Sequence, residues 1–147
     1  MPDSSRSERI LQGVPVEALE VAWPHVEGYL KAAIERSEGV HTIESVQDAL
    51  AHKDMQLWLS MTDEGVEACC VTQIIDYPEI RVCAIPLIGG KNHKAWRHFQ
   101  EDIARWADEK GCSEMEGYAR RGWLRFILKE GWKPVWTTVR RPIDGRI

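Results

Sequence analysis

The stretch Ile80-Arg-Val-Cys-Ala-Ile-Pro-Leu-Ile-Gly-Gly-Lys-Asn-His-Lys-Ala-Trp-Arg-His-Phe-Gln-Glu-Asp-Ile-Ala-Arg-Trp-Ala-Asp-Glu-Lys-Gly111 decides the fold. Its first part, Ile80 to Leu87, is short, apolar and rich in β-formers, as expected of a strand. Its second part carries Trp96, Phe99, Ile103, Trp106 and Ala107 on one helical face, with Arg97, Glu101, Asp102, Arg105, Asp108 and Glu109 around the rest. Gly111 follows as a C-cap, with Lys110 favourable in the last turn. Between strand and helix, Ile88-Gly-Gly-Lys-Asn92 reads as a turn whose two glycines permit close backbone approach. The free N–H groups and dipole of the first helical turn would face an anion there. Lys91, His93 and Lys94 can donate to phosphate, with Arg97 a turn further on. The alternative is a tight turn with a solvated basic rim. The segment is neither Gly-x-x-x-x-Gly-Lys-Ser/Thr nor Gly-x-Gly-x-x-Gly.

Upstream, the hydrophobic period is 2. Met55, Leu57, Leu59 and Met61 share one face and Trp58 takes the other. Thr62-Asp-Glu-Gly65 is a turn, Val66 to Ile75 a second strand, and Asp76-Tyr-Pro-Glu79 turns into the strand at Ile80. Three such strands in sequence predict an antiparallel meander. Further upstream the period is helical. Pro15 starts a short helix through Val16, Leu19 and Ala22, which Trp23-Pro24 interrupts. A second helix follows through Val26, Tyr29, Leu30, Ala33 and Ile34 to Gly39, and Thr42 caps a third through Ile43, Val46 and Leu50. Residues 1–13 read as a loose, flexible arm.

Downstream, Cys112 to Tyr118 reads as a short strand, Gly122 to Glu130 as a helix stopped by Gly131, and Trp132 to Val139 as a last strand. Residues 140–147 form a tail. Together these elements predict one α/β domain over residues 14–139, a mixed twisted sheet with helices on both faces.

Composition fits that reading. The chain has 147 residues, 44% hydrophobic and 29% charged, enough for a core and unlike a disordered chain. It has no apolar run of membrane-spanning length and no secretory leader pattern. Four cysteines without a Cys-x-x-Cys pair predict buried, reduced thiols and a cytoplasmic setting; a virion assembled in cytoplasm would suit them equally. Residues 1–90 hold 6 Lys/Arg against 15 Asp/Glu, and residues 91–147 hold 13 against 8. The acidic part opposes bulk nucleic-acid binding, and no recognition module is present. Trp58, Trp96, Trp106 and Trp123 read as core, and Trp136 as lining a cleft or dimer contact.

The layout resembles the Gcn5-related N-acetyltransferase (GNAT) superfamily over about residues 15–139. Ile80 to Gly111 is similar to the family's central coenzyme motif, and Phe126-Ile-Leu-Lys-Glu-Gly-Trp132 to its closing aromatic tract. Gln56-Leu-Trp58, Gly89-Gly90 and Gly117-Tyr-Ala-Arg-Arg-Gly-Trp123 look like a branch common in bacteriophage genomes. The resemblance implies an acyl-CoA N-acyltransferase fold, acetyl-CoA as co-substrate with no metal, and direct attack by an amine acceptor. It places the acyl carbonyl near the backbone of Ile85 and Leu87, and the pyrophosphate at Gly89, Gly90, Lys91, Asn92, His93 and Lys94. Read from the residues alone, Arg121 offers a contact for the coenzyme's phosphates, an acidic partner protein or nucleic acid, with a solvated face as the alternative.

Two features depart from the family pattern. The usual Arg/Gln-x-x-Gly-x-Gly/Ala loop is replaced, and the common thiolate-protonating tyrosine corresponds to Ile127. Glu67 and Glu116 are strand carboxylates in the region where a base would act, each with a salt-bridged or solvent-facing role as the alternative. The competing function is a noncatalytic, phage-encoded scaffold in a virion or its assembly, binding protein partners or a second copy.

Overall fold

The computed structural model describes residues 9–91, 94–119 and 121–145, with side chains throughout except at 94–98 and 121. Contacts divide the chain after Gly117 into two compact units.

The first unit is a sheet between helices. Its five strands, β1 (Ile10–Val14), β2 (Gln56–Thr62), β3 (Gly65–Asp76), β4 (Arg81–Gly90) and β5 (Glu114–Gly117), lie in that order. β1 to β4 are antiparallel and β5 is parallel to β4. Three helices accompany it: α1 (Leu19–Glu35), α2 (Ile43–Ala51) and α3 (Lys94–Glu109). The meander and the strand–helix–strand crossover stand as the periodicities predict.

Side chains alternate across the sheet and build two cores. On one face Leu57, Leu59, Cys69, Val71 and Leu87 join Val26 and Leu30 of α1 and Val46 and Leu50 of α2. On the other, Trp58 meets Trp106 of α3 edge to face, with ring centroids 5.0 Å apart. The indole Nε1 of Trp58 donates to Thr72 Oγ1 at 2.9 Å, so this buried polar atom is satisfied. Phe99, Ile103 and Ala107 of α3 are buried as their spacing predicts, and Trp96 lies outside the described side chains.

Two N-terminal expectations are corrected. Residues 10–14 are not an arm: β1 pairs with β2 from Ile10↔Met61 to Val14↔Leu57, and Gly13 lies under the Trp58 ring. The chain also does not break at Trp23-Pro24, because α1 runs through Pro24. Proline forfeits the bond to the Glu20 carbonyl and costs about 3 kcal/mol in a helix interior. Burial of Ala22, Val26, Leu30 and Ala33 along one face offsets that loss, and Trp23 Nε1 donates to Glu27 Oε2 at 2.6 Å across the proline turn.

The α2 cap is reciprocal. Ser45 N–H donates to Thr42 Oγ1 and Thr42 N–H to Ser45 Oγ, both at 3.0 Å. Thr42→Ala is expected to cost about 1 kcal/mol. A melting curve followed by circular dichroism should fall by roughly 3 °C.

The second unit holds α4 (Arg121–Ile127) and a 3-10 turn, Leu128–Glu130, ended by Gly131 at φ 92°. The helix agrees with the sequence reading, and its Trp123 is half-buried. The strand expected over Trp132 to Val139 is not formed. Those residues have no regular structure, and Val135, Trp136 and Val139 are exposed. β-Propensity supplies no ladder partner, and Pro134 removes a donor from the middle of the segment.

Among the described residues no helix is long and apolar enough to cross a membrane. Cys69, Cys70 and Cys83 are buried free thiols and Cys112 is a half-buried one. Burial pushes Cys69 and Cys83 up to about 12 and raises Cys70 well above the ordinary thiol range, so none supplies a thiolate near neutral pH. Cys112 is also raised, chiefly by desolvation.

Candidate functional site

The site begins with a miscount between two strands. Ala84 of β4 pairs with Gln73 of β3, and Leu87 with Val71. Between these rungs β4 places Ile85 and Pro86 opposite the single Thr72. This is a β-bulge, which bends its strand and increases the local twist. Pro86 suits it, because a bulged residue needs no ladder donor.

Beyond this bulge β4 outruns β5. The parallel rungs run from Val82↔Glu114 to Ile85↔Gly117 and stop there, while β4 continues to Gly90. Backbone alternation says which groups are left on the open side. Lys91 N–H donates to the Glu67 carbonyl at 3.0 Å, which turns Lys91, Gly89 and Leu87 toward β3. The N–H groups of Ile88 and Gly90 consequently point to the side where no strand pairs among the described residues. Ile85 stays at the last β4–β5 rung. Of the two backbones nominated for an acyl carbonyl, Leu87 thus faces β3, and Ile88 takes the outward place.

Gly89 and Gly90 are strand residues, not a turn. Gly89 pairs with Cys69 and Gly90 with Ala68. A Cβ on Gly89 would stand 2.5 Å from the Tyr29 carbonyl oxygen of α1. One on Gly90, at φ 149°, would stand 2.5 Å from Ala68 Cβ. The glycines let the end of β4 lie directly against α1 and β3, which brings the open backbone edge to the start of α3. Lys91 is exposed at that edge and α3 begins at Lys94. Asn92 and His93 lie outside the described residues, as do the side chains of Lys94 and Arg121.

The two nominated carboxylates have different surroundings. Glu67 is the extra residue of a second bulge, opposite Ser60/Met61. Its Oε1 accepts from Arg9 Nε at 2.7 Å and from Ser60 Oγ at 2.9 Å, and its side chain is 15% exposed. That is the ion-paired arrangement, which ties β2, β3 and the segment before β1 together.

Glu116 sits opposite Ala84, one residue before the last rung of β5. It is half-buried and accepts from the Tyr77 hydroxyl, 3.2 Å from Oε2. Glu116 is thus placed one residue from the end of the β4–β5 pairing. Sequence reasoning passes over Tyr77 as a turn residue, since only the strand order brings it near β5. Of the N-terminal histidines, His52 Nδ1 lies 2.7 Å from the Asp48 carbonyl and His41 is held below its ordinary range by burial. Among the described residues no group of His, Cys, Asp and Glu could hold a metal ion.

No protein-family model matches the chain, and no curated protein matches its sequence. Solved structures do match. An aminoglycoside N-acetyltransferase AAC(6')-Iy in complex with CoA is 14% identical with a TM-score of 0.68, covering 97% of each chain. A predicted acetyltransferase with acetyl-CoA from Clostridium acetobutylicum is 12% identical with a TM-score of 0.64, over 90% of this chain and 96% of that one. A GCN5-related N-acetyltransferase from Ralstonia eutropha JMP134 is 15% identical with a TM-score of 0.63, over 94% of this chain and all of that one. At these identities the likeness establishes the fold: this chain has the GNAT acyl-CoA N-acyltransferase fold.

Proposed function

We propose that the protein is an N-acyltransferase that moves an acetyl group from acetyl-CoA to a primary amine by direct attack. The observation that carries this reading is the open edge of β4 beyond the Pro86 bulge, with Glu116 beside its start. An extended thioester arm needs hydrogen-bonding backbone on a strand that has lost its neighbour, and the outward N–H groups of Ile88 and Gly90 offer it. Fold neighbours that bind CoA or acetyl-CoA support the same co-substrate here.

Each group then has a defined task. The Ile88 N–H, three residues beyond Ile85 and its last rung, is directed at the thioester carbonyl, where negative charge develops. Lys91 at the strand end, with Lys94, Asn92 and His93 from the sequence, supplies donors and charge for the coenzyme phosphates. Glu116 receives the proton that the amine nitrogen loses as its bond to the carbonyl carbon forms and the carbon–sulfur bond breaks. Ile127 has no proton to give, so the departing thiolate takes its proton from water. The raised thiols leave a cysteine-acyl route without a nucleophile. Glu67, already engaged by Arg9, serves the scaffold instead.

Calorimetric titration with acetyl-CoA and with CoA tests this. Binding on the order of micromolar is expected, weakened about tenfold or more in the Lys91→Ala plus Lys94→Ala double variant. A folded protein that binds neither ligand at millimolar concentration would overturn it. That outcome would favour the noncatalytic scaffold, for which exposed Val135, Trp136 and Val139 form a candidate protein-binding strip.

A further inference from the structure

We propose that Tyr77 is a positioning residue that aims the Glu116 carboxylate at the incoming amine; this rests on the acyl-transfer reading above. The arrangement starts in the β3–β4 hairpin. Tyr77 N–H donates to the Ile80 carbonyl at 2.8 Å, closing the turn over Pro78 and Glu79. At its base Arg81 Nε and Nη2 hold Asp76 at 2.6 and 3.3 Å. Arg81 Nη1 also donates to the Lys110 carbonyl at 2.8 Å, tying the hairpin to the end of α3. Tyr77 therefore leaves from a backbone fixed on two sides.

From there its hydroxyl spans to β5, 3.2 Å from Glu116 Oε2 and 3.5 Å from Oε1. A hydroxyl shared between both oxygens opposes rotation of the carboxylate about its terminal bond. Desolvation first, and then the Glu116 bond, push the phenol above its ordinary range, which keeps it protonated and donating. A tyrosine has only two side-chain torsions to fix, so it is an efficient brace for a flexible glutamate.

A double-mutant cycle separates aiming from simple bracing of the hairpin. If Tyr77 acts through the carboxylate, its loss matters only while residue 116 is a carboxylate. If it supports the fold alone, its loss acts equally in both backgrounds. The assay uses the full chain and acetyl-CoA, with sisomicin and, separately, an alanine-initiated hexapeptide as amines, and follows released CoA by chromatography. Glu116→Gln is expected to lower kcat about a hundredfold. Tyr77→Phe is expected to lower kcat about tenfold with the KM for acetyl-CoA unchanged. The double variant should be no slower than Glu116→Gln.

The inference alone fails if Glu116→Gln is impaired while Tyr77→Phe matches wild type, or if Tyr77→Phe slows both backgrounds by the same factor. Full activity in Glu116→Gln removes the base assignment, and Tyr77's role with it. A wild type that turns over neither amine overturns the acyl-transfer reading as a whole.

Discussion

Gly89→Ala is expected to lower the melting temperature by about 6–10 °C, read by circular dichroism or calorimetry. The added Cβ would lie 2.5 Å from the Tyr29 carbonyl oxygen, 3.0 Å from the carbonyl carbon and 3.1 Å from the Tyr29 Cβ. Two of these are backbone atoms of α1, so no rotamer change relieves the contact. One partner must move. α1 is anchored by Val26 and Leu30, neither with any exposure, and β4 by its rung to Cys69. Overpacking at such a contact costs about 2–3 kcal/mol. Gly28, one residue earlier on the same helix, is the control: its Cβ would meet nothing within 4 Å. Gly28→Ala should therefore raise the melting temperature by about 3 °C, since alanine favours a helix over glycine by about 1 kcal/mol. Equal melting of Gly89→Ala and wild type would mean that α1 does not seat on the end of β4.

The contrast between those glycines shows what a sequence can carry. Gly89 and Gly90 read as a turn because a turn is the local reason for a Gly-Gly pair. Their actual reasons, Tyr29 and Ala68, lie far away in the chain and become visible only with the strand order. The amphipathic face of α3 and the Thr42 cap are legible because their causes are local: side chains three and four residues apart, and one hydroxyl beside its own helix. Trp23-Pro24 misleads in the opposite direction, since a local penalty is real but smaller than the burial of α1. Trp132 to Val139 carries a strand-like pattern without a ladder, because pairing is not a property of one segment. At the site, Glu116 stands out as a strand carboxylate, whereas the Arg9 partner of Glu67 and the Tyr77 partner of Glu116 are long-range pairs with no local signal.

Deleting Pro86 is expected to abolish acetyl-CoA binding, weakening it at least about a hundredfold by calorimetry, in a protein that still folds. The register carries the argument. With one residue removed between Ala84 and Leu87, Ile85 falls opposite Thr72 and the ladder has no miscount. Every later residue keeps its partner: Leu87 with Val71, Gly89 with Cys69, Gly90 with Ala68. Leu87 thus stays in the α1–α2 core and both glycines stay in their tight contacts, so the fold loses nothing that its stability depends on. What disappears is the bend. A bulge-free β4 loses the local twist that sets how its unpaired edge beyond Ile85 is presented, and the edge no longer meets an extended ligand in register. Stability should hold or rise, as it commonly does when an irregularity kept for function is removed. Pro86→Ala separates the bulge from the missing N–H: it keeps the residue count and should bind within a few-fold of wild type. Wild-type affinity in the deletion variant would show that the miscounted rung does not make the site, and the ligand edge would then have to lie elsewhere than on β4.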